Sequence, residues 1–221
     1  MALELFAKLV DIRSFLFLPA KRLLTAAVMF VVSTMFISTS SYAATILILG
    51  DSLSAGYGMS EEQGWVQLLR DQYPEHDIIN GSVSGETTAG GLRRLPSLLT
   101  SSEIDLVVVE LGGNDGLRGF PPNQLKSNLT KIINLSQDSG ANVLLTEIMV
   151  PPNYGPRYTK MFNDVYHDLA DDFDIPLAPF FMMDIAANSD LMQRDGIHPN
   201  QEAQPKITQW MQPWIMNALK K

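Results

Sequence analysis

The sequence contains no cysteine and only three histidines. Without cysteine, neither a disulfide-stabilised scaffold nor a metal site with thiolate ligands can form. The histidines show no H-E-x-x-H or H-x-H spacing of the kind that zinc sites use. We therefore expect a protein that needs no metal and no other cofactor.

Positive charge is also scarce. The chain has 16 Lys+Arg and 24 Asp+Glu residues, and four of the basic and two of the acidic ones lie within residues 1–43. The remaining residues therefore carry 12 basic and 22 acidic side chains. A body with this charge repels phosphate backbones, so we expect no nucleic-acid partner.

The one long apolar run lies near the N-terminus. It spans residues 23–38, directly after Lys21 and Arg22, and its 16 residues fall short of the ~20 that a membrane-spanning helix needs. Ser41 and Ala43 have the small side chains that signal peptidase requires. The pattern predicts a signal peptide over residues 1–43 and a periplasmic or secreted protein without stable membrane insertion. An uncleaved N-terminal anchor is the alternative.

Residues 44–221 have a length and composition typical of one globular domain, which we expect to be a monomer. Five apolar runs predict strands at Thr45–Leu49, Asp77–Asn80, Asp105–Leu111, Asn142–Glu147 and Ile175–Ala178. Helical patterns follow at Gly64–Gln72, Gly91–Leu99, Gln124–Asp138, Tyr158–Phe173 and Glu202–Leu219, with prolines 96, 205 and 213 as possible interruptions. This alternation predicts an α/β fold with a five-stranded parallel sheet between helical layers. The ligand site is then expected beyond the carboxyl ends of the strands.

Gly50-Asp51-Ser52-Leu53-Ser54 directly follows the first predicted strand. A turn at this place presents a serine hydroxyl and free backbone N–H groups at the edge of the sheet. Ser52 is therefore a candidate nucleophile, and its amide a candidate donor to an oxyanion. The same turn is equally compatible with a simple helix cap, and Ser54 stands where a G-x-S-x-G elbow has its last glycine.

Two further segments at predicted strand ends supply candidate oxyanion donors. Asn114 lies in a Gly-Gly-Asn-Asp segment after the third strand, and its side-chain amide can stabilise a developing negative charge. Gly85 follows the second strand and can offer its backbone N–H to the same oxygen. For both segments, an ordinary glycine turn is the competing interpretation.

Asp195-Gly196-Ile197-His198-Pro199 lies near the C-terminus. A carboxylate three residues before a histidine can hold the Nδ1–H of the imidazole and leave Nε2 free to accept the proton of a serine. The other two histidines, His76 and His167, lie beside acidic residues and are interpreted as surface residues. The sequence therefore offers a nucleophile, an oriented base and three oxyanion donors, which are the groups that acyl transfer requires.

The segments GDSLSAGYG, VSGET, ELGGNDGLRG and DGIHPN resemble, in this order, the sequence blocks of the SGNH (GDSL) hydrolases. The resemblance covers residues 45–210 and is greatest to the group of periplasmic acyl-CoA thioesterase I, lysophospholipase L1 and arylesterase. It implies a flavodoxin-like three-layer fold with Ser52, Asp195 and His198 as the catalytic triad. It also implies an oxyanion hole formed by Ser52, Gly85 and Asn114.

The predicted function is hydrolysis of acyl esters and thioesters through an acyl-enzyme intermediate, with a fatty-acyl, lysophospholipid or aryl ester as the substrate. Three apolar segments, 120–122, 149–154 and 180–183, are candidates for an acyl groove, and we selected Phe120, Pro152 and Tyr154 as substrate-binding residues. Ordinary core and loop packing explains these segments equally well. The competing functions are a carbohydrate O-deacetylase of the same superfamily and a non-catalytic acyl- or lipid-binding protein.

Overall fold

The computed structural model describes residues 43–220 and contains one parallel five-stranded sheet. The strands are β1 (Thr45–Gly50), β2 (Asp77–Asn80), β3 (Leu106–Glu110), β4 (Asn142–Thr146) and β5 (Leu177–Ala178). Their order in the sheet is β2-β1-β3-β4-β5, and every pair is parallel. This is the flavodoxin-like order, in which the connections leave in opposite directions from β1 and β3. The predicted fold class is confirmed.

The central strands are apolar along most of their length because both faces of the sheet are covered. In β1, Leu47 and Leu49 pack into the core on one face, and Ile46 and Ile48 pack into the core on the other. All four side chains are fully buried. The continuous apolar pattern is typical of a parallel sheet enclosed by helices.

Seven α-helices occur within the described residues. They are α1 (Trp65–Gln72), α2 (Thr88–Ser101), α3 (Gly113–Leu117), α4 (Pro122–Asp138), α5 (Pro156–Phe173), α6 (Met183–Ala186) and α7 (Gln204–Ala218). Helices α2, α4 and α5 contribute buried side chains to the core on one face of the sheet. Helices α1, α6 and α7 contribute to the core on the other face. The result is the predicted three-layer arrangement.

Helix α2 differs from its prediction at both ends. It begins three residues earlier because the side chain of Thr87 caps it by accepting a hydrogen bond from the Gly90 amide. It also continues through Pro96, although proline removes one hydrogen bond of the helix. Burial of the adjacent Leu95 in the core stabilises the helix across this position. The short helices α3 and α6 were not predicted.

The C-terminal helix begins later than predicted. A 3-10 turn covers Gln201–Ala203, and α7 then starts at Gln204. Pro205 lies in the first turn, where backbone N–H groups have no acceptor within the helix, so the N–H that proline lacks is not needed. Pro213 lies inside the helix.

The predicted signal peptide, residues 1–43, lies outside the described residues except for Ala43. Its cleavage and the predicted location of the protein therefore remain predictions. Across residues 43–220, no helix has both the length and the apolar character needed to cross a bilayer.

Candidate active site

Ser52 lies in the turn that follows β1, at the point where β1 and β3 run side by side. The last residue of β1, Gly50, pairs with the last residue of β3, Glu110. A Cβ atom on Gly50 would lie only 2.7 Å from Oε2 of Glu110 and 2.9 Å from the Ser54 side chain. Only glycine therefore lets the chain turn this close to β3, which explains why the Ser52 turn starts with a glycine.

Ser52, His198 and Asp195 form a continuous hydrogen-bonded line. Nε2 of His198 lies 2.9 Å from Oγ of Ser52, and Nδ1 lies 2.7 Å from Oδ2 of Asp195. Ser52 and His198 are 146 residues apart in the chain and meet because both follow the same edge of the sheet. A serine hydroxyl on one ring nitrogen and a carboxylate on the other is the arrangement of a nucleophile, a general base and an orienting acid.

Asp195 is held in place by the backbone of its own loop. Its Oδ1 accepts hydrogen bonds from the amides of His198 and Ile197 at 3.0 and 2.9 Å. The hydrogen bonds from the His198 backbone and side chain lower the pKa of Asp195 to about 2. The carboxyl group is therefore ionised at neutral pH and can stabilise a positive charge on the imidazole.

The loop that carries His198 is fixed by residues that the sequence analysis missed. Its two ends pair through an antiparallel bridge between Met192 and Pro199. The amide group of Gln193 donates to the carbonyl of Tyr57 at 2.7 Å, which ties the loop to the segment after Ser52. The ring of Tyr57 lies against the His198 imidazole, with the ring centroids 4.2 Å apart. No local pattern in the sequence indicates these long-range contacts.

A cavity of about 540 Å³ opens at Ser52, and Gly85, Asn114 and His198 also line it. Nδ2 of Asn114 donates to Oδ2 of Asp51 at 3.1 Å, which orients the amide group and leaves its second N–H for a ligand. Gly85 has a φ of +77°, a conformation that glycine adopts without strain. The structure thus brings the predicted oxyanion donors to the same cavity as Ser52.

Two buried carboxyl groups lie beneath the Ser52 turn. Oε2 of Glu110 accepts hydrogen bonds from the Ser54 hydroxyl at 2.7 Å and the Asp51 amide at 3.3 Å. Its Oε1 is buried and has no hydrogen-bond partner among residues 43–220. Burial, followed by the nearby charge of Asp51, raises the pKa of Glu110 well above its ordinary value. Burial also raises the pKa of Asp51 to about 6. Burial therefore favours the protonated form of both carboxyl groups, and the nearby charge of Asp51 adds to this effect at Glu110.

The three residues selected as substrate contacts do not line the cavity. Tyr154 instead donates its hydroxyl to the carbonyl of Leu117 at 2.7 Å, and the carbonyl of Phe120 accepts a hydrogen bond from Tyr158. Pro152 is exposed in a 3-10 turn. Of the three apolar segments, 149–154 and 180–183 contribute residues 149–151, 180 and 182 to the cavity, whereas 120–122 contributes none. The path of each loop, which the sequence does not reveal, decides which side chains face inward.

The other two histidines lie away from the cavity. His167 is exposed and its Nε2 lies 3.0 Å from Glu147, as expected of a surface residue. His76 is half-buried rather than fully on the surface, and its Nδ1 accepts a hydrogen bond from the Ala44 amide. The part of the chain that the structure describes contains no group of three acidic or histidine side chains suited to a metal ion.

Comparison with known proteins identifies a family for most of this domain. Residues 48–204 match the model of the GDSL-like lipase/acylhydrolase family. The match includes Ser52, Gly85, Asn114 and both residues of the Asp195–His198 pair.

Several curated and solved proteins are similar over most of their length. An arylesterase from Vibrio mimicus is 49% identical over 202 residues, which cover 90% of this chain and 99% of the relative. Thioesterase 1/protease 1/lysophospholipase L1 from Escherichia coli K12 is 49% identical over 170 residues, covering 76% of this chain and 82% of the relative. The crystal structure of the psychrotrophic esterase EstA from Pseudoalteromonas sp., inhibited by monoethylphosphonate, is 50% identical. It covers 80% of this chain and 100% of its own, with a TM-score of 0.78.

Proposed function

The chain belongs to the GDSL-like lipase/acylhydrolase family, and on that premise we propose that Ser52, His198 and Asp195 are the catalytic triad of a carboxylic ester and thioester hydrolase. Hydrolysis of esters and thioesters is the activity of the family members to which the chain is half identical. The observation that carries the assignment of the triad is the hydrogen-bonded line from the Ser52 hydroxyl through the imidazole to Asp195.

The proposed reaction proceeds in two stages. His198 accepts the proton of Ser52 while Oγ attacks the acyl carbonyl, and the imidazolium is stabilised by ionised Asp195. His198 then protonates the leaving alcohol or thiol, and the acyl group stays on Ser52 as an ester. Water, deprotonated by the same imidazole, attacks this ester, and the imidazolium then returns the proton to Oγ of Ser52 as the acid is released.

The negative oxygen formed in each stage needs donors that are in place before the reaction. We assign this role to the backbone amides of Ser52 and Gly85 and to the free N–H of Asn114. Asp51 positions the Asn114 amide, because its buried carboxylate accepts the other N–H. Donors held in this way need no reorganisation when the charge develops.

The walls of the cavity favour an acyl chain as the substrate group bound next to Ser52. They include the apolar side chains of Leu117, Ile148, Met149, Val150, Phe180 and Met182. Methionine and aromatic side chains adapt to chains of different length, and each methylene that leaves water contributes about 0.8 kcal/mol. The proposed substrates are therefore esters and thioesters of medium or long acyl chains rather than acetylated sugars.

A series of p-nitrophenyl esters from acetyl to dodecanoyl tests this proposal. We expect kcat/KM to rise by at least about tenfold from the acetyl ester to the best longer ester, since two buried methylenes already correspond to more than tenfold. A second test is the variant Met149→Gln. It places an amide on the cavity wall and should therefore reduce this chain-length preference. A preference for the acetyl ester would instead favour an O-deacetylase, and the absence of any turnover would favour an acyl-binding protein.

Replacing Asn114 with alanine should lower kcat by about 10²–10³, the typical cost of losing one oxyanion donor. KM should change little, because the donor acts mainly on the charged transition state. Asn163→Ala removes a half-buried asparagine that contacts Glu147 outside the cavity and is the control for general effects on folding. A loss of less than fivefold in Asn114→Ala would remove this residue from the proposed oxyanion hole.

A further inference from the structure

Exposed apolar side chains are concentrated around one opening of the molecule. Among residues 43–220, eight large hydrophobic residues are exposed, and Leu135 and Met161 are the two that lie on the outer helices α4 and α5. The other six follow the carboxyl ends of successive strands or lie in the His198 loop. We call these six the rim: Tyr57, Val83, Leu117, Met149, Met183 and Ile197.

The rim lies at the opening of the cavity at Ser52. Four of its members line the cavity as well as being exposed: Tyr57, Leu117, Met149 and Ile197. The other two are sequence neighbours of lining residues, since Val83 precedes Ser84 and Met183 follows Met182. Single exposed apolar residues are normal on any protein, but six around one opening form a patch that marks an interaction surface.

The position of this patch limits what can cover it. A protein docked on the rim would also close the opening and block the substrate. An aggregate of the substrate itself would cover the rim and supply acyl chains to the cavity at the same time. The charge of the body, with 12 basic and 22 acidic residues after residue 43, disfavours an anionic surface. A zwitterionic surface carries no such penalty.

We propose that the rim seats the protein on the surface of a zwitterionic lysophospholipid aggregate, from which an acyl chain passes directly into the cavity at Ser52. This inference rests on the proposed function, because the aggregate is useful only if Ser52 hydrolyses its esters. It adds that the substrate is taken from a lipid surface and not only from solution. Apolar side chains of the rim would enter the region between headgroups and acyl chains, as they do in other surface-bound proteins.

Vesicle binding by matched variants tests the rim separately from catalysis. The rim variant combines Val83→Asn with Met183→Gln, which removes two exposed side chains that do not line the cavity. The control variant combines Leu135→Gln with Met161→Gln, which removes two exposed apolar side chains elsewhere. The probe is a vesicle of ether-linked phosphatidylcholine, which presents the zwitterionic headgroup and has no ester to cleave. All proteins are expressed from the full chain in one host, so residues 1–43 are treated identically in each.

We expect the rim variant to bind these vesicles about tenfold more weakly than the wild type, whereas the control variant binds as the wild type does. Both should hydrolyse monomeric p-nitrophenyl butyrate within twofold of the wild type, and the rim variant alone should lose activity on micellar lysophosphatidylcholine. Vesicles of an ether-linked phosphatidylglycerol, which is anionic, should bind the wild type less tightly.

Equal vesicle binding by the wild type and the rim variant overturns the proposal, as does an equal loss in the control variant. The proposal is also overturned if the wild type does not bind vesicles but forms dimers that the rim variant cannot form. The rim would then be a contact between two copies of the chain. If the wild type binds vesicles through the rim but hydrolyses no soluble ester, the rim stands and the proposed function fails. The two ideas therefore fail in different measurements.

Discussion

Replacing Ser52 with alanine is expected to lower kcat on a soluble ester by about 10⁶, the scale of loss when a triad nucleophile is removed. The variant should fold normally, because the Ser52 hydroxyl faces the imidazole and does not belong to either core. Residual turnover should remain above the rate in water, because the cavity and the oxyanion donors still bind the substrate. The measurement is kcat under saturating substrate, with circular dichroism as the test of folding.

The cavity offers a matched control for this variant. Ser84 also lines it and is exposed, and within residues 43–220 the imidazole of His198 bonds to Ser52 and not to Ser84. Ser84→Ala should keep activity within a few-fold, and a fluorophosphonate should label the wild type at Ser52 and not at Ser84. A Ser52→Ala variant that retains even a tenth of the activity would eliminate Ser52 as the nucleophile.

Glu110 should make the protein less stable as the pH rises. Its pKa in the folded state lies well above the ordinary value of 4.5, because the group is buried beside Asp51. Between these two pKa values the folded protein holds a proton that the unfolded chain has lost. The free energy of unfolding therefore falls with pH in this window, by up to about 1.4 kcal/mol per pH unit for one proton. The raised pKa of Asp51 adds to this fall in the free energy of unfolding between pH 3.8 and about pH 6.

Glu110→Gln should remove most of this slope, because glutamine keeps the shape and cannot ionise. Its side-chain oxygen can still accept from the Ser54 hydroxyl. Urea unfolding of both proteins at intervals from pH 4.5 to pH 8.5 measures the difference, and the contribution of Asp51 ends at about pH 6. Glu103→Gln, which removes an exposed carboxyl, is the control and should leave the slope as in the wild type. Parallel curves for the wild type and Glu110→Gln would mean that the folded protein does not raise the pKa of Glu110.

Most of the fold could be predicted because its signals are local. Each strand is a short apolar run followed by a turn segment, and parallel strands place their carboxyl ends at one edge of the sheet. That rule alone brings the Ser52 turn, Gly85, Asn114 and the His198 loop to a common edge, although residues from four separate segments are involved. The predicted strands therefore differ from the observed ones only at their ends.

The features that were missed depend on contacts between distant segments. Glu110 looks like the ordinary end of a strand, and its importance comes from the Ser54 hydroxyl and the Asp51 amide that point at it. Tyr57 and Gln193 join two loops that are 136 residues apart in the chain. The absence of Phe120 and Tyr154 from the cavity lining likewise depends on how whole loops fold back. No spacing within the sequence encodes such contacts.

The separation of 146 residues between Ser52 and His198 also bears on how the protein is made. A growing polypeptide exposes its reactive hydroxyl long before the imidazole has been translated. Until the ribosome has released the segment around residue 198, that hydroxyl lacks the imidazole that we propose as its base. The proposed triad can therefore assemble only after nearly the whole domain has been translated.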